Sequence, residues 1–400
     1  MGGLQVAVTT NGVAPRVAQR LLKEIVGKLP SDLESQLSEV ARLNATAAAV
    51  ERERQSVVAK LESAVDAGSP GLSTAVTAAH TPAPESVAED ELADLGSLRS
   101  GATTSVDVQA AAAYAAHALS DLCFVYAAPE QALGAAALAW SRRAEKNAFG
   151  EWVSALRMQT RAGAGHALWG ALASGARVAA IASAESLPHM APVLTELVDR
   201  RQALVVHASA ESMDASGLAQ TDHADVLAAL QTGAVLLASA SPQEAHDVAV
   251  IAHAVAAAAS VPVVHIASAA TDPEPVRTAS HKQMAAFVAS VVTTYSRRAV
   301  AEIIDAAFTE FRSAFGRTYS RFEYSGSSSA ETVFVALGQP AADAVESLPA
   351  LLREDARVGV LSVRALRPWG PEQLVAGLPA SVRRVVLLRC ARDAATADAL

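Results

Sequence analysis

From residue 106 onward, short β-branched runs alternate with longer alanine-rich runs, and few folds accommodate that order. Val178–Ala182, Ala203–His207, Ala234–Ala238 and Val261–Ile266 are predicted strands. Predicted helices separate them at Pro188–Arg200, His223–Leu230 and Pro242–Ala257. Strands joined by helical crossovers return to the same end of a sheet, so they pair in parallel. A second unit has the same alternation: strands Thr332–Leu337, Val358–Val363 and Val385–Leu388, helices Ala341–Leu352 and Pro371–Gly377. The fold class expected is α/β, a parallel-sheet domain followed by a smaller α/β domain. Hydrophobic residues make up 51% of the chain but aromatics only 4%, so alanine supplies much of the apolar surface. Each alanine buries little area, and the core must therefore come from closely packed backbones.

The N-terminal stretch reads differently. Leu4–Thr9 alternates as a strand, Thr10-Asn11-Gly12 is a turn, and Leu21, Leu22, Ile25, Val26 and Leu29 recur at helical spacing. Pro30-Ser31-Asp32 stops that helix, and a second carries Leu33, Leu37, Val40 and Leu43. Residues 67–105 hold Gly68, Pro70, Gly71, Pro82, Pro84, Gly96 and Gly101 and no aromatic residue, which reads as a linker. The expected organisation is a strand-and-helix segment at 1–66, a linker at 67–105 and a parallel-sheet domain at 106–272. A connection at 273–325, with one long helix around Ala299–Phe315, leads to a last α/β domain at 326–400.

A net charge of −9 argues against a general nucleic-acid binder. Two cysteines, Cys123 and Cys390, exclude a disulfide scaffold, a four-cysteine zinc site and a cysteine-ligated cluster. The longest apolar candidate, Val248–Ile266, contains His253, Ser260 and Pro262 and reads as a buried helix followed by a strand, not a membrane span. No signal-peptide pattern is seen, so a cytoplasmic protein is expected.

Among chemistry-bearing motifs, Thr160-Arg161-Ala162-Gly163-Ala164-Gly165-His166 is the most glycine-dense polar segment. Arg161, Gly163, Gly165 and His166 are the candidate cofactor-binding residues, because a helix starting there could cradle a phosphate. Leu168 stands where a third glycine would complete G-x-G-x-x-G, so close helix packing is the competing reading. Asp222-His223-Ala224-Asp225 places a histidine between carboxylates, as a general base needs, but also matches a helix cap. His246 and His253 are seven apart, which is wrong for a helical zinc pair. Cys123 lies in an apolar run and reads as buried. Arg364, Arg367, Arg383 and Arg384 bracket Pro368-Trp369, either as an anion or partner contact or as a solvated sheet end. Trp140, Trp152, Trp169 and Trp369 form no platform in sequence. No metal ligand set and no catalytic residue is assigned.

Ordered segments carry a resemblance. They are Ala162-Gly163-Ala164-Gly165-His166, Gly170–Ala176, Asp222-His223-Ala224-Asp225, Gln231-Thr232-Gly233, Ser239–Ala245, Phe322-Glu323-Tyr324, Ala330-Glu331-Thr332-Val333, Val358-Gly359-Val360 and Arg367-Pro368. Together, from about residue 106 to 395, they resemble the pyruvate:ferredoxin oxidoreductase family. That implies a thiamin-diphosphate-binding-like parallel-sheet domain followed by a transketolase-C-terminal-like α/β domain. Ala113–Asp121, Thr160–Gly165 and Phe322-Glu323-Tyr324 with Ala330–Phe334 also look like the N-terminal region of the flavoprotein subunit of fungal NADPH sulfite reductase. Leu4–Gly12, Pro15-Arg16 and the helices through Leu43 resemble part of siroheme synthase, which makes the sulfite reductase cofactor.

The resemblances imply a first function, the N-terminal, mainly structural part of the assimilatory NADPH sulfite reductase flavoprotein. In that reading it serves sulfate assimilation and cysteine biosynthesis. FAD and NADPH would bind only in a C-terminal module absent from this chain. The partner would be a siroheme and iron–sulfur subunit within an oligomer, with no nucleic acid and no membrane. Glu211 appears where the pyruvate enzymes carry an arginine after the strand ending in His207, and a carboxylate there would repel the substrate's own. Iron–sulfur cysteines and a diphosphate-binding partner domain are not seen either, so thiamin diphosphate is not expected to bind. The alternatives are a thiamin-diphosphate-dependent 2-oxoacid oxidoreductase subunit and a non-catalytic siroheme-synthase-related fusion.

Overall fold

The computed structural model describes residues 103–128, 133–213, 219–268, 273–353 and 357–388. The expected N-terminal strand and helices and residues 67–102 of the expected linker lie outside them. All the described residues belong to one unit of the chain.

The elements begin with β1 Thr103–Val106, α1 Val108–Leu119, β2 Leu122–Tyr126, α2 Ala135–Arg142 and β3 Ser154–Arg157. Next come α3 His166–Ala173, β4 Val178–Ser183, α4 Leu187–Asp199, β5 Leu204–Ser209, β6 Glu211–Met213 and β7 Ala219–Thr221. The chain continues through α5 Ala224–Leu227, β8 Val235–Ser239, α6 Pro242–Ala259, β9 Pro262–Ala267 and β10 Glu274–Arg277. Then follow α7 His281–Tyr295, α8 Val300–Phe315, β11 Phe322–Gly326, β12 Thr332–Leu337 and α9 Gln339–Arg353. Last come β13 Val358–Val363, β14 Ala365–Arg367, α10 Pro371–Ala376 and β15 Arg384–Leu388.

The main sheet has seven strands in the order β14-β8-β9-β5-β4-β2-β3. Six are parallel, and β14 adds antiparallel to β8. A second sheet, β11-β13-β12-β15, is parallel except for β11. The α/β class with parallel sheets is thus what the alternation requires. β14 follows β13 after a single residue, Arg364, so one stretch of chain joins both sheets.

Alanine explains the packing. Helix α6 is buried along nearly its whole length, sandwiched between the main sheet and α1, α7 and α8. A helix enclosed on all sides needs small side chains, and Ala245, Ala249, Ala252, Ala254, Ala256, Ala258 and Ala259 supply them. Ala111, Ala112, Ala113, Ala115 and Ala116 do the same on α1. Residues 273–325, read from sequence as a connection, contain α7 as well as α8, and both belong to this layer. Helix α8 shows Ile303, Ile304, Ala307, Phe308 and Phe311 on one stripe, and Phe287 of α7 meets Phe311 edge-on at 5.4 Å. The opposite face of the main sheet packs on α3 and α4 and on Val333, Val335, Leu337, Leu361 and Val363 of the second sheet.

Thr103–Val106, of which 103–105 fell by sequence in the linker, pairs antiparallel with β10. It hands the chain to α1 through Asp107, whose Oδ1 accepts from Ala110 N at 2.6 Å. Asp107→Ala is expected to cost about 1 kcal/mol, as lost caps do, read from urea unfolding.

Candidate functional site

A parallel sheet gathers its loops and the N-termini of its helices at the carboxyl ends of its strands, which is where α/β proteins bind ligands. The loop of residues 159–165 lies at that edge, between β3 and α3. Gly163 and Gly165 both take left-handed backbone, with φ of 85° and 91°. The loop is largely spent on itself: Ala164 N donates to Arg161 O, His166 N to Gly163 O and Leu168 N to Gly165 O. His166 Nδ1 also meets Gly163 O at 3.0 Å, and a Cβ on Gly165 would sit 3.3 Å from Val193 of α4. Close packing of α3 on α4 therefore accounts for Gly165. Arg161 and His166 are exposed. Below the loop, burial pushes the Tyr126 phenol up to about 12.

Further along the edge, Ser183 Oγ and Ser186 Oγ lie 2.8 Å apart beyond β4, and Ser186 donates to Tyr126 O. Beyond β5, Gln109 Nε2 bridges Ser209 Oγ at 3.2 Å and Glu211 Oε2 at 2.8 Å. Glu211 is thus a hydrogen-bond acceptor to a neutral amide.

Where the main sheet meets the second, a cavity of about 180 Å³ is lined by Ser239, Ser241, Glu244, Glu323, Gly338 and Arg364, among others. Arg364 is half-buried between the carboxylates of Glu244 and Glu323. Burial opposes its charge, and these two carboxylates more than restore it. Of the arginines noted in the sequence, Arg364 is therefore an internal tie. Arg367 donates to Leu230 O at 2.8 Å, Arg383 lies 3.9 Å from Glu331, and Arg384 opens the outer strand β15. They form no joint site.

Asp222 stands one residue before the N-cap, His223, and its Oδ1 accepts from Ala224 N at 2.9 Å, with Asp225 in the first turn of α5. His223 is buried, its Nε2 has no hydrogen-bond partner, and desolvation lowers its pKa. A Cβ on Gly338 would lie 3.4 Å from that nitrogen. His246 and His253 part company: His246 Nδ1 pairs with Asp247 at 2.7 Å, while His253 Nε2 meets His207 Nε2 at 3.3 Å. Asp247 is also held by Arg317 and Tyr319. Among the described residues no group of histidines, cysteines and carboxylates is arranged to hold a metal. Cys123 is a buried free thiol, pushed up to about 12 by desolvation. Trp140 is buried against Tyr114, Trp169 stacks with Arg200, Trp369 meets Phe322 edge-on, and Trp152 is exposed.

Sequence reasoning missed His207 and His265. They occupy matching positions in Leu204-Val205-Val206-His207 and Pro262-Val263-Val264-His265 and pair in register on β5 and β9. That shared pattern was the available signal.

Comparison with known proteins bears on the whole edge. A family model described as pyruvate flavodoxin/ferredoxin oxidoreductase, thiamine diphosphate-binding, matches residues 127–336. A second, described as sirohaem biosynthesis protein central, matches residues 2–27, outside the described residues. Pyruvate dehydrogenase [NADP(+)] of Euglena gracilis is 29% identical over 74% of this chain and 18% of its own length. Pyruvate:ferredoxin oxidoreductase of Moorella thermoacetica is 29% identical over 71% of this chain and 27% of its own. The chain thus spans about a quarter or less of these relatives. A 2-oxoglutarate:ferredoxin oxidoreductase structure from Magnetococcus marinus shares the fold, with a TM-score of 0.55 at 11% identity over 74% of this chain and 59% of that one.

These findings overturn the sulfite reductase reading, and with it the sulfate-assimilation and cysteine-biosynthesis roles and the expected FAD and NADPH module. The segments that suggested it are packing elements: Phe322-Glu323-Tyr324 is β11, whose Glu323 holds Arg364, and Ala330–Phe334 leads into β12. The exclusion of thiamin diphosphate is overturned too, since the matching family is defined by binding it. It rested on Glu211 repelling the substrate's carboxylate, and on the lack of iron–sulfur cysteines and of a diphosphate-binding partner domain; Glu211 is found accepting a hydrogen bond from Gln109. An acceptor carboxylate beside an amide and a hydroxyl suits an aminopyrimidine ring, which presents both N–H donors and ring-nitrogen acceptors.

Proposed function

The chain belongs to the pyruvate flavodoxin/ferredoxin oxidoreductase, thiamine diphosphate-binding family, and on that footing we propose that it is part of a 2-oxoacid oxidoreductase of the pyruvate:ferredoxin type. The observation that carries this reading is the family match from the end of β2 to β12, over half of the chain. Glu211, Gln109 and Ser209 would hold the pyrimidine end of thiamin diphosphate at the carboxyl end of β5. Bound there, the cofactor supplies the nucleophilic carbon and electron sink that decarboxylation of a 2-oxoacid requires. The chain's own part is to seat and orient. Gln109 fixes the Glu211 carboxylate, α1 carries Gln109, and the helices behind the sheet keep that edge rigid. The chain spans about a quarter or less of these relatives, and in this reading further parts complete the enzyme.

Among the described residues no helix is long and apolar enough to cross a membrane. A cytoplasmic setting accords with the acidic charge and the free Cys123.

Titration of the full chain, together with its complementary modules, by thiamin diphosphate and Mg²⁺ tests the cofactor assignment. Saturable binding is expected, and Glu211→Ala should raise the Kd about tenfold or more, the worth of a charge-assisted hydrogen bond. Absence of binding to the folded assembly, or unchanged affinity in the variant, would reject the seat described.

A further inference from the structure

Three buried histidines stand in a hydrogen-bonded row through the interior of the main domain. Ser239 Oγ, at the end of β8, lies 2.9 Å from His265 Nε2 on β9. His265 Nδ1 lies 3.0 Å from His207 Nδ1 on β5. His207 Nε2 lies 3.3 Å from His253 Nε2 on α6. Each ring of β5 and β9 uses both of its nitrogens, so the contacts form a chain and not a convergent metal site.

The two ends of the row open on different cavities. Ser239 lines the 180 Å³ cavity at the carboxyl edge, between the sheets. His253 lines another, of about 90 Å³, with Val178, Leu204 and Val205 at the amino ends of β4 and β5. We propose that Ser239, His265, His207 and His253 form a proton relay connecting the cavity between the two sheets with the opposite edge of the main sheet.

A neutral imidazole carries one N–H and one bare nitrogen, and the row admits two complete hydrogen-bond polarities. In the first, Ser239 O–H donates to His265 Nε2, His265 Nδ1–H to His207 Nδ1, and His207 Nε2–H to His253 Nε2, leaving the proton of His253 on Nδ1. In the second, every bond runs the other way. Passing from one to the other moves each proton across one hydrogen bond. Ser239 takes a proton from water in the first cavity and gives its own to His265 Nε2. His265 releases its Nδ1 proton to His207 Nδ1, and His207 its Nε2 proton to His253 Nε2. His253 releases its Nδ1 proton to water in the second cavity. One proton enters, one leaves, and all three rings end neutral. A proton travelling back resets the row without any ring turning over. Desolvation holds all three rings well below the ordinary histidine range, so none traps a proton as a stable cation.

Ring N–H exchange in the ¹⁵N-histidine-labelled full chain tests this, because a relay delivers solvent protons to rings that remain buried. The ring protons of His207 and His265 are expected to exchange about 100-fold faster than the backbone amides of Val206 and Val264, which exchange only when the strands open. His253→Leu, which removes the outlet at one end, should slow ring exchange about tenfold while those amides change by less than about twofold. Ring exchange no faster than the strand amides in the unaltered protein would mean that the rings meet solvent only by unfolding, and would overturn the relay whether or not the variant folds. Ring exchange that His253→Leu leaves unchanged would overturn it as well.

Discussion

Lowering the pH from 7 to 5 is expected to remove about 6 kcal/mol of folding stability through three histidines alone. His253 and His265 are held down to about 3 by burial, and His207 lies well below its ordinary value for the same reason, aided by its two histidine neighbours. In the unfolded chain each titrates near 6.5, so below that pH the unfolded state binds more protons than the folded state. Stability is therefore complete above about pH 7 and falls as pH drops, by about 1.4 kcal/mol per ring per pH unit, until the folded pKa values are reached. Urea unfolding at pH 7, 6 and 5 measures the slope, and His253→Leu should lower it by about a third. Constant stability across this range would show that the rings are not buried and neutral. The Asp247 carboxylate behaves differently. Burial raises its pKa, but bonds from His246 and Arg317 outweigh that and hold it below its ordinary value, so its contribution fades only at more acid pH.

Arg364→Met is expected to cost about 3–5 kcal/mol, the loss seen when one partner of a buried pair is removed. Most of the cost falls on Glu244, whose side chain is only 11% exposed and would be left without its cationic partner. Glu323 is 46% exposed and contributes little, because water screens it. Adding Glu244→Gln should recover much of the loss, since the uncompensated charge is then gone. Denaturant unfolding of the two single variants and the double variant measures the coupling. A cost under about 1 kcal/mol for Arg364→Met would mean that the arginine does not tie the sheets together.

The α/β class was legible because alternation survives in an alanine-rich chain: β4, β5, β8, β9, β12 and β13 lie where β-branched runs stand between helical stretches. Helix α7 was harder to read, since its polar capping box at Ser280 and Gln283 and sparse buried residues, Met284, Phe287 and Val291, look like a connection until α8 covers them. The candidate site was legible only in outline. The glycine loop stands out because left-handed backbone demands glycine, yet its role is largely helix packing. Glu211 looked repulsive because its partner Gln109 lies about a hundred residues away in sequence. The histidine row escaped notice because its members sit singly in apolar strands and one helix, and only the parallel register of β5 and β9 joins them. Short segments favoured the wrong relative, because packing motifs identify a fold more readily than a reaction.

The most direct test of the central reading is carbon dioxide release from pyruvate by the assembly containing this chain, with ferredoxin or flavodoxin as electron acceptor. The expected result is turnover that requires thiamin diphosphate and falls with Glu211→Ala. A folded, complete assembly that oxidises no 2-oxoacid, or does so equally well without thiamin diphosphate, would contradict it.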